Sequence, residues 1–286
     1  MDKGIDKVRL VRSSHALITT PEVAVHEVVC RDDHTGWSEP EPAGGAQIVL
    51  VRRGRFRMDA EGRTLAADPT TGYLQGPGAI QRFAHPAGGD VCTSISLKGH
   101  ALTAEPWLDD AVRSPTSHEI RVDARLELAH RLLLRADAGG VDEAVLTLLD
   151  LALRGQRRRT PSPGPGRAEL ARLAREAIVA GEPGSDRLVP LARSLGTSPS
   201  HLSRTFRHHI GMSVTRYRNR IRISRALQRI EAGETDLARL AYELGFSDQA
   251  HFTRVLRAEL GRTPDQVRSL LVGDGKARQA LRRPRR

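Results

Sequence analysis

Two stretches of the chain carry the same pattern of apolar and polar positions. In the first, Leu188, Leu191, Ala192 and Leu195 lead to Gly196 and Ser198, after which Leu202, Phe206 and Ile210 recur at intervals of four. In the second, Leu237, Leu240, Ala241 and Leu244 lead to Gly245 and Ser247 at an offset of forty-nine. One residue is then inserted, placed at Ala250, and His251, Phe252, Arg254, Leu256, Arg257, Leu260 and Gly261 repeat the His201–Gly211 pattern at an offset of fifty. Apolar residues three and four apart mark one face of an α-helix. Each copy therefore predicts a helix, a glycine-centred turn and a second helix.

The helices fall at Arg187–Leu195 and Ser198–Ile210, then at Thr235–Leu244 and Ser247–Leu260. Gly196 stands just past a helix end, where left-handed backbone costs glycine least. Ser198 and Pro199 suit the N-cap and first position of the next helix. With Leu202, Phe206 and Ile210 turned inward, Ser200, Ser203, Arg204 and Arg207 point out; with Phe252, Leu256 and Leu260 inward, so do Gln249, Ala250, Thr253 and Arg254. A short polar face bearing arginine suits the major groove of DNA, because a guanidinium donates two hydrogen bonds to guanine O6 and N7. Between the copies, Ser213–Ala232 predicts a helix apolar on more than one side, through Val214, Tyr217 and Ile221 and also Ile223, Leu227 and Ile230. Such a helix bridges two small cores. Its ~20 residues span roughly 30 Å, close to the ~34 Å turn of B-DNA, so the two outward faces are expected in successive major grooves. Ala168–Gly181 predicts a helix ahead of the repeat, and Thr263-Pro264 starts a closing one.

The first half reads differently. Glu22–Cys30, Gln47–Arg53, Arg55–Asp59, Arg82–His85 and Val91–Leu97 are short alternating segments separated by glycine and proline turns, which predicts a small barrel or sandwich. Ile120–Ala136 and Val141–Arg154 then have helical spacing, broken at Asp137 to Gly140. This pair suits either a dimerising element or a cap on the barrel. Arg154 to Arg167 is rich in proline, glycine and arginine and predicts a linker. The expected fold class is thus α+β multidomain: a β-barrel with trailing helices over 1–153, a linker over 154–167, an all-α domain with two helix-turn-helix motifs over 168–271 (about 188–210 and 237–260), and a basic tail over 272–286.

Charge sharpens this division. Residues 1–156 hold 18 Lys and Arg against 22 Asp and Glu, a net −4; residues 157–286 hold 27 against 12, a net +15, accounting for the total of +11. A composition rich in arginine throughout would not separate the halves this way, so the positive charge points to a polyanion bound by the repeat-bearing half. No apolar run approaches the roughly 18 residues a membrane span needs, and Met1 to Val11 lacks a signal-peptide core. Two cysteines, Cys30 and Cys92, suit a reducing compartment. The expected location is the cytoplasm.

Residues 170–271 resemble the AraC/XylS family of bacterial transcription regulators. The matching residues are Leu195-Gly196, Ser198-Pro199-Ser200-His201-Leu202-Ser203-Arg204, Phe206, Gly211-Met212-Ser213 and Tyr217. A more specific set follows: Ala241, Leu244-Gly245-Phe246-Ser247, Gln249, His251-Phe252-Thr253-Arg254, Gly261 and Thr263-Pro264. The resemblance covers about a third of the chain. It implies a seven-helix domain that binds double-stranded promoter DNA, with Ser200, Ser203 and Arg204 at base-reading positions of the first motif and Gln249, Ala250, Thr253 and Arg254 at those of the second. The candidate DNA-binding set adds Ser198, Arg207 and Arg257. Val214, Leu256 and Val267 depart from the family's frequent proline, phenylalanine and tyrosine; all three are apolar and bear on packing. The β segment is similar, less specifically, to the family's cupin-like effector domain. The partners so implied are promoter DNA, RNA polymerase, an unidentified small-molecule effector and a second copy of the chain, with no membrane.

The chemistry of the first half is sparse. Gly76-Pro77-Gly78 followed by His85 is faintly similar to a cupin motif, but the paired histidines of a metal cupin are missing. Cys30, His34, His85 and Cys92 are enough in number for a tetrahedral zinc site, although buried structural cysteines have the same appearance. The expectation is no metal, no cofactor and no catalytic residue, since neither a phosphate-binding Gly-Lys-Ser/Thr loop nor a Gly-x-Ser-x-Gly elbow occurs. Trp37 and Trp107 suit either an effector pocket or ordinary packing. Two rival functions are a non-specific DNA-coating protein, which has no need of two matched motifs, and an enzyme with an accessory DNA-binding domain, which needs chemistry the first half lacks.

Overall fold

The computed structural model describes residues 12–31, 35–60, 62–86, 88–98, 118–137, 139–156 and 165–273. The chain divides into two compact units, residues 1–119 and 120–286.

Antiparallel strands build the first unit: β1 (Arg12–Thr19), β2 (Val23–Cys30), β3 (Glu41–Pro42), β4 (Gln47–Arg53), β5 (Phe56–Ala60), β6 (Arg63–Ala67), β7 (Thr71–Gln75), β8 (Ile80–Ala84) and β9 (Asp90–Leu97). One sheet includes β1-β2-β9-β4-β7 in that order, and the other is β3-β8-β5-β6. Val49, Val51, Tyr73 and Cys92 from the first sheet pack on Phe56, Met58 and Ala60 from the second. The Phe56 and Tyr73 rings meet edge to face at 6.3 Å across that core. The result is two antiparallel sheets packed on one core, within the barrel-or-sandwich class expected of this half.

All five strand segments predicted from alternation are present, within two residues of their expected starts. Others were not expected. β7 is buried along its whole length, so it shows no alternation to read. It contains Gly72, where a Cβ would stand 2.4 Å from the Val49 carbonyl oxygen, so only glycine allows β7 to lie this close to β4. β1 is exposed at nearly every position and gains its order from pairing with β2 rather than from burial.

The second unit begins within β10 (His118–Arg121). Ile120, read as helical from its spacing, lies in this strand, and the helix starts only after Asp123, whose carboxylate accepts from the Leu126 N–H at 2.8 Å. The helices are α1 (Ala124–Leu133), α2 (Val141–Gln156), α3 (Pro165–Ala180), α4 (Leu188–Ser194), α5 (Pro199–Ile210), α6 (Val214–Glu231), α7 (Leu237–Glu243), α8 (Gln249–Leu260) and α9 (Pro264–Val272). Helix covers both described ends of the expected linker; residues 157–164, and 274–286 of the expected tail, lie outside the described residues.

Among the described residues, two separate cores underlie the two motifs of this unit. Ala174, Ile178, Leu191, Leu202, Phe206, Val214, Tyr217 and Ile221 form the first. Ile223, Leu227, Ile230, Leu240, Phe252, Leu256, Leu260, Val267 and Leu271 form the second. Both include residues of α6, so the two apolar faces predicted for this helix each have their own core. Ala124 and Leu128 of α1 also belong to the second core. From its spacing this helix is expected to trail the barrel. It packs with the helical unit instead, because its apolar face fits α6 and α8 and its charged residues meet those of α6.

Those charges form a buried cluster. The Glu127 carboxylate accepts from Arg220 at 2.6 Å, Arg131 at 2.8 Å and Ser224 at 2.8 Å. Arg131 also donates to Glu231, and Arg220 to the Val122 and Asp123 carbonyls. Arg220 and Arg218 are therefore inward-facing, although they add to the positive charge counted from sequence. Among the described residues no helix is long and apolar enough to cross a membrane.

Candidate nucleic-acid interface and barrel cavity

Each motif presents its second helix through local devices. In the first, Ser198 caps α5, its hydroxyl accepting from the His201 N–H at 3.2 Å, with Pro199 at the first turn. In the second, Asp248 caps α8, accepting from the His251 N–H at 2.7 Å. This corrects the placement of the inserted residue. One residue, Thr197, separates Gly196 from its cap, whereas Phe246 and Ser247 separate Gly245 from Asp248. The insertion lies in the turn and not at Ala250, because Phe246 drops into the second core, its ring 5.3 Å from that of Phe252. Gly196 and Gly245 both have φ near the left-handed value, at 63° and 76°, as the turns require. Thr263 and Gln266 close a capping box at the start of α9.

The outward residues fall as the periodicity predicts. Ser198, Ser200, Arg204 and Arg207 are exposed on α5 and its cap, and Ser203 is half-buried; Gln249, Ala250, Arg254 and Arg257 are exposed on α8, and Thr253 is half-buried. Val214, Leu256 and Val267, the departures from the family pattern, are all buried. Among the described residues, none of Arg204, Arg207, Arg254 and Arg257 forms an ion pair with a carboxylate. Two arginines near the second motif are neutralised instead: Arg229 pairs with Glu234 at 2.8 Å and Glu243 at 2.7 Å, and Arg239 with Glu234 at 2.8 Å. The outward faces of α5 and α8 thus each carry two arginines whose charge no carboxylate ion pair offsets. The Asp248 carboxyl is held below its ordinary value, first by the His251 N–H and the Ser247 hydroxyl, and also by the nearby Arg254 charge.

Between the sheets of the first unit lies a cavity of about 810 Å³. Its walls include Cys30, Tyr73, Gln75, Gln81, His85, Asp90 and Cys92. The side-chain oxygens of Gln75 and Gln81 are buried there without a hydrogen-bond donor among the described residues. His85 Nε2 is 3.1 Å from Asp90 Oδ2. Burial alone would depress the His85 pKa, but hydrogen bonding to Asp90 and Cys30 outweighs it and raises the group to about 9. Burial, with Asp90 beside it, pushes the Cys92 thiol and, with Cys92 beside it, the Tyr73 phenol upward. Three of the four sequence candidates for a metal therefore share one cavity, while His34 lies outside the described residues. Asp90 was not among them, having no spacing signal to mark it. Trp37 lies under the Arg82 guanidinium at 5.2 Å, and Trp107 lies outside the described residues.

A family model described as a helix-turn-helix domain matches residues 191–269, from α4 to the body of α9. The arabinose operon regulatory protein of Escherichia coli strain K12 is 33% identical over 82 residues, 29% of this chain and 28% of that protein. The transcriptional activator RhaR of Klebsiella pneumoniae is 30% identical over 137 residues, 47% of this chain and 49% of that protein. The C-terminal region thus carries a helix-turn-helix domain similar to that of AraC-type regulators. Its two motifs are α4–α5 and α7–α8, with α6 as the connecting helix. The chain spans between about a quarter and a half of the length of these curated relatives. Over the whole chain, the crystal structure of ToxT from Vibrio cholerae strain SCE256 aligns with 90% of this chain and 98% of its own, at a TM-score of 0.36 and 10% identity.

Proposed function

We propose that the protein is a sequence-specific transcription regulator that acts on promoter DNA in the cytoplasm. The carrying observation is the pair of capped helices, α5 and α8, each of which presents two exposed arginines free of carboxylate partners on its outward face. Arg204 and Arg254 supply most of the base-edge binding, because their neighbours Ser200, Ser203 and Ala250 are small. Arg207 and Arg257, one turn further along, approach phosphate. The 18 residues of α6 give an axial length of about 27 Å. That is suited to placing the two helices in successive major grooves of one face of the duplex, with modest bending. A small-molecule effector occupies the barrel cavity, where the unpaired Gln75 and Gln81 oxygens offer acceptors to its donors. RNA polymerase and a second copy of the chain complete the set of partners; α2 leaves Leu146 exposed and available to such a contact. No enzymatic activity is assigned.

Mapping of bound sites across the genome supplies the operator, and gel-shift titration against that operator and against random DNA then tests the reading. Arg204→Ala and Arg254→Ala each weaken operator binding by about 1–3 kcal/mol and leave binding to random DNA nearly unchanged. Equal losses on both DNAs would move these arginines to phosphate contact, and no preference of the wild-type chain for any mapped site would remove sequence-specific regulation altogether.

A further inference from the structure

The barrel cavity holds a side-chain cluster for which DNA binding has no use. Cys30 ends β2, and the antiparallel register sets it directly opposite Asp90 at the start of β9. Cys92 follows two residues along β9, so the pleat returns it to the same face as Asp90. His85 comes directly after β8, and its ring reaches Asp90. Sixty residues of sequence separate Cys30 from Asp90, yet one ligand atom from each of Cys30, His85 and Asp90 lies within 4.8 Å of the others. Cys92 Sγ donates to Asp90 Oδ1 at 3.0 Å, while Asp90 Oδ2 faces His85 Nε2 at 3.1 Å. Asp90 thus joins both sides of the cluster. All four side chains belong to residues less than a tenth exposed, and all four line the cavity.

We propose that Cys30, His85, Asp90 and Cys92 bind one zinc ion in the wall of the barrel cavity. Two thiolates, an imidazole and a carboxylate are the donor types zinc takes in four-coordinate sites, and the two sulfurs disfavour magnesium and calcium, which take oxygen. Ligands held at zinc distances in a tetrahedron lie roughly 3.3–3.8 Å from one another. Cys30, His85 and Asp90, within 4.8 Å of one another, need only side-chain rotation to close to that range, and Cys92, already bonded to Asp90, joins them with the β2–β9 register kept. Zinc takes the place of the protons that bridge the metal-free cluster.

A disulfide is the rival use of the two thiols, and the register argues against it. Cys30 pairs with Asp90 and Cys92 with Val28, so the cysteines are diagonal neighbours. Diagonal positions on an antiparallel pair stand about 7–8 Å apart, at or beyond the Cα separation of about 7 Å a disulfide tolerates.

The test uses the full chain purified without a histidine tag, stripped with a chelator, and titrated with zinc and separately with cobalt. The expected result is one equivalent of tightly held zinc that excess magnesium does not displace. Cobalt gives the intense visible absorption of a tetrahedral site together with a near-ultraviolet thiolate charge-transfer band. Cys30→Ser and Cys92→Ser each weaken that band, and His85→Ala loses most of the bound zinc. A wild-type chain that retains no zinc, or whose cobalt spectrum is weak and octahedral, overturns the proposal without recourse to any variant. A charge-transfer band unchanged in folded Cys30→Ser and Cys92→Ser proteins, checked by circular dichroism, also overturns it.

Discussion

Replacing Glu127 by alanine is expected to destabilise the helical unit by about 3–5 kcal/mol. The size follows from what remains behind. Glu127, Arg131 and Arg220 are 4%, 2% and 3% exposed, so all three charges are out of water. Loss of the carboxylate removes the 2.6 Å partner of Arg220 and the 2.8 Å partner of Arg131, leaving the buried Arg220 charge with backbone carbonyls alone and Arg131 with Glu231. It also removes the Ser224 hydroxyl bond, one of the ties between α1 and α6. Urea unfolding of wild type and variant, followed by far-ultraviolet circular dichroism, gives the number. A difference under about 1 kcal/mol would mean that the cluster is solvated and holds α1 only through Ala124 and Leu128.

The same residue predicts a pH dependence with a definite sign. Burial, the largest single influence, raises the Glu127 pKa, but the charges of Arg220 and Arg131 and the hydrogen bonds from Arg131 and Ser224 together lower it to about 2 from an ordinary 4.5. A carboxyl depressed in the folded state contributes its stabilisation fully above the unfolded value, and loses it as pH falls through the folded one. The contribution, about 3 kcal/mol in full, is therefore present at neutral pH and fades between pH 4.5 and 2. The stability gap between wild type and Glu127→Gln should narrow across that window. A gap of constant size down to pH 2 would show that shape, not charge, sets the effect.

Phe252→Ala is expected to cost about 3–5 kcal/mol as well, and to do so locally. Phe252 is fully buried against Phe246, and Leu256 and Leu260 follow it along the same face of α8. Truncation leaves a void that neighbours from four helices cannot close without moving backbone. The first motif has its own core, with Phe206 packed edge to face on Tyr217 at 5.3 Å. Hydrogen exchange should therefore rise sharply over residues 237–271 and much less over 188–210, with Phe206→Ala giving the reverse. Equal loss of protection in both segments for either variant would show one cooperative core in place of two.

The DNA-facing surface was legible because its determinants are local. Helix period, caps and turn glycines all act within about four residues, so Leu202, Phe206, Phe252 and Leu256 could be assigned inward and Arg204 and Arg254 outward from spacing alone. Even here one detail escaped. Aligning the two copies on Ser198 and Ser247 put the extra residue at Ala250, since a serine cap looks equivalent in either place; burial of Phe246 in the second core moves it into the turn.

What the sequence by itself determined is the repeat, the two-faced connecting helix, the charge of the second half and the β character of the first. Only the tertiary structure decided where α1 belongs, which arginines face inward, and which residues share the barrel cavity. The physical reason is range. Periodicity reports on which side of its own element a residue lies, but not on what lies opposite. Glu127 meets Arg220 across 93 residues, and Cys30 meets Asp90 across a strand pairing that no spacing announces. Two arginines of the same helix, Arg216 and Arg220, have the same chemistry in sequence; one is exposed and the other is buried on a carboxylate because α1 packs against that side of α6.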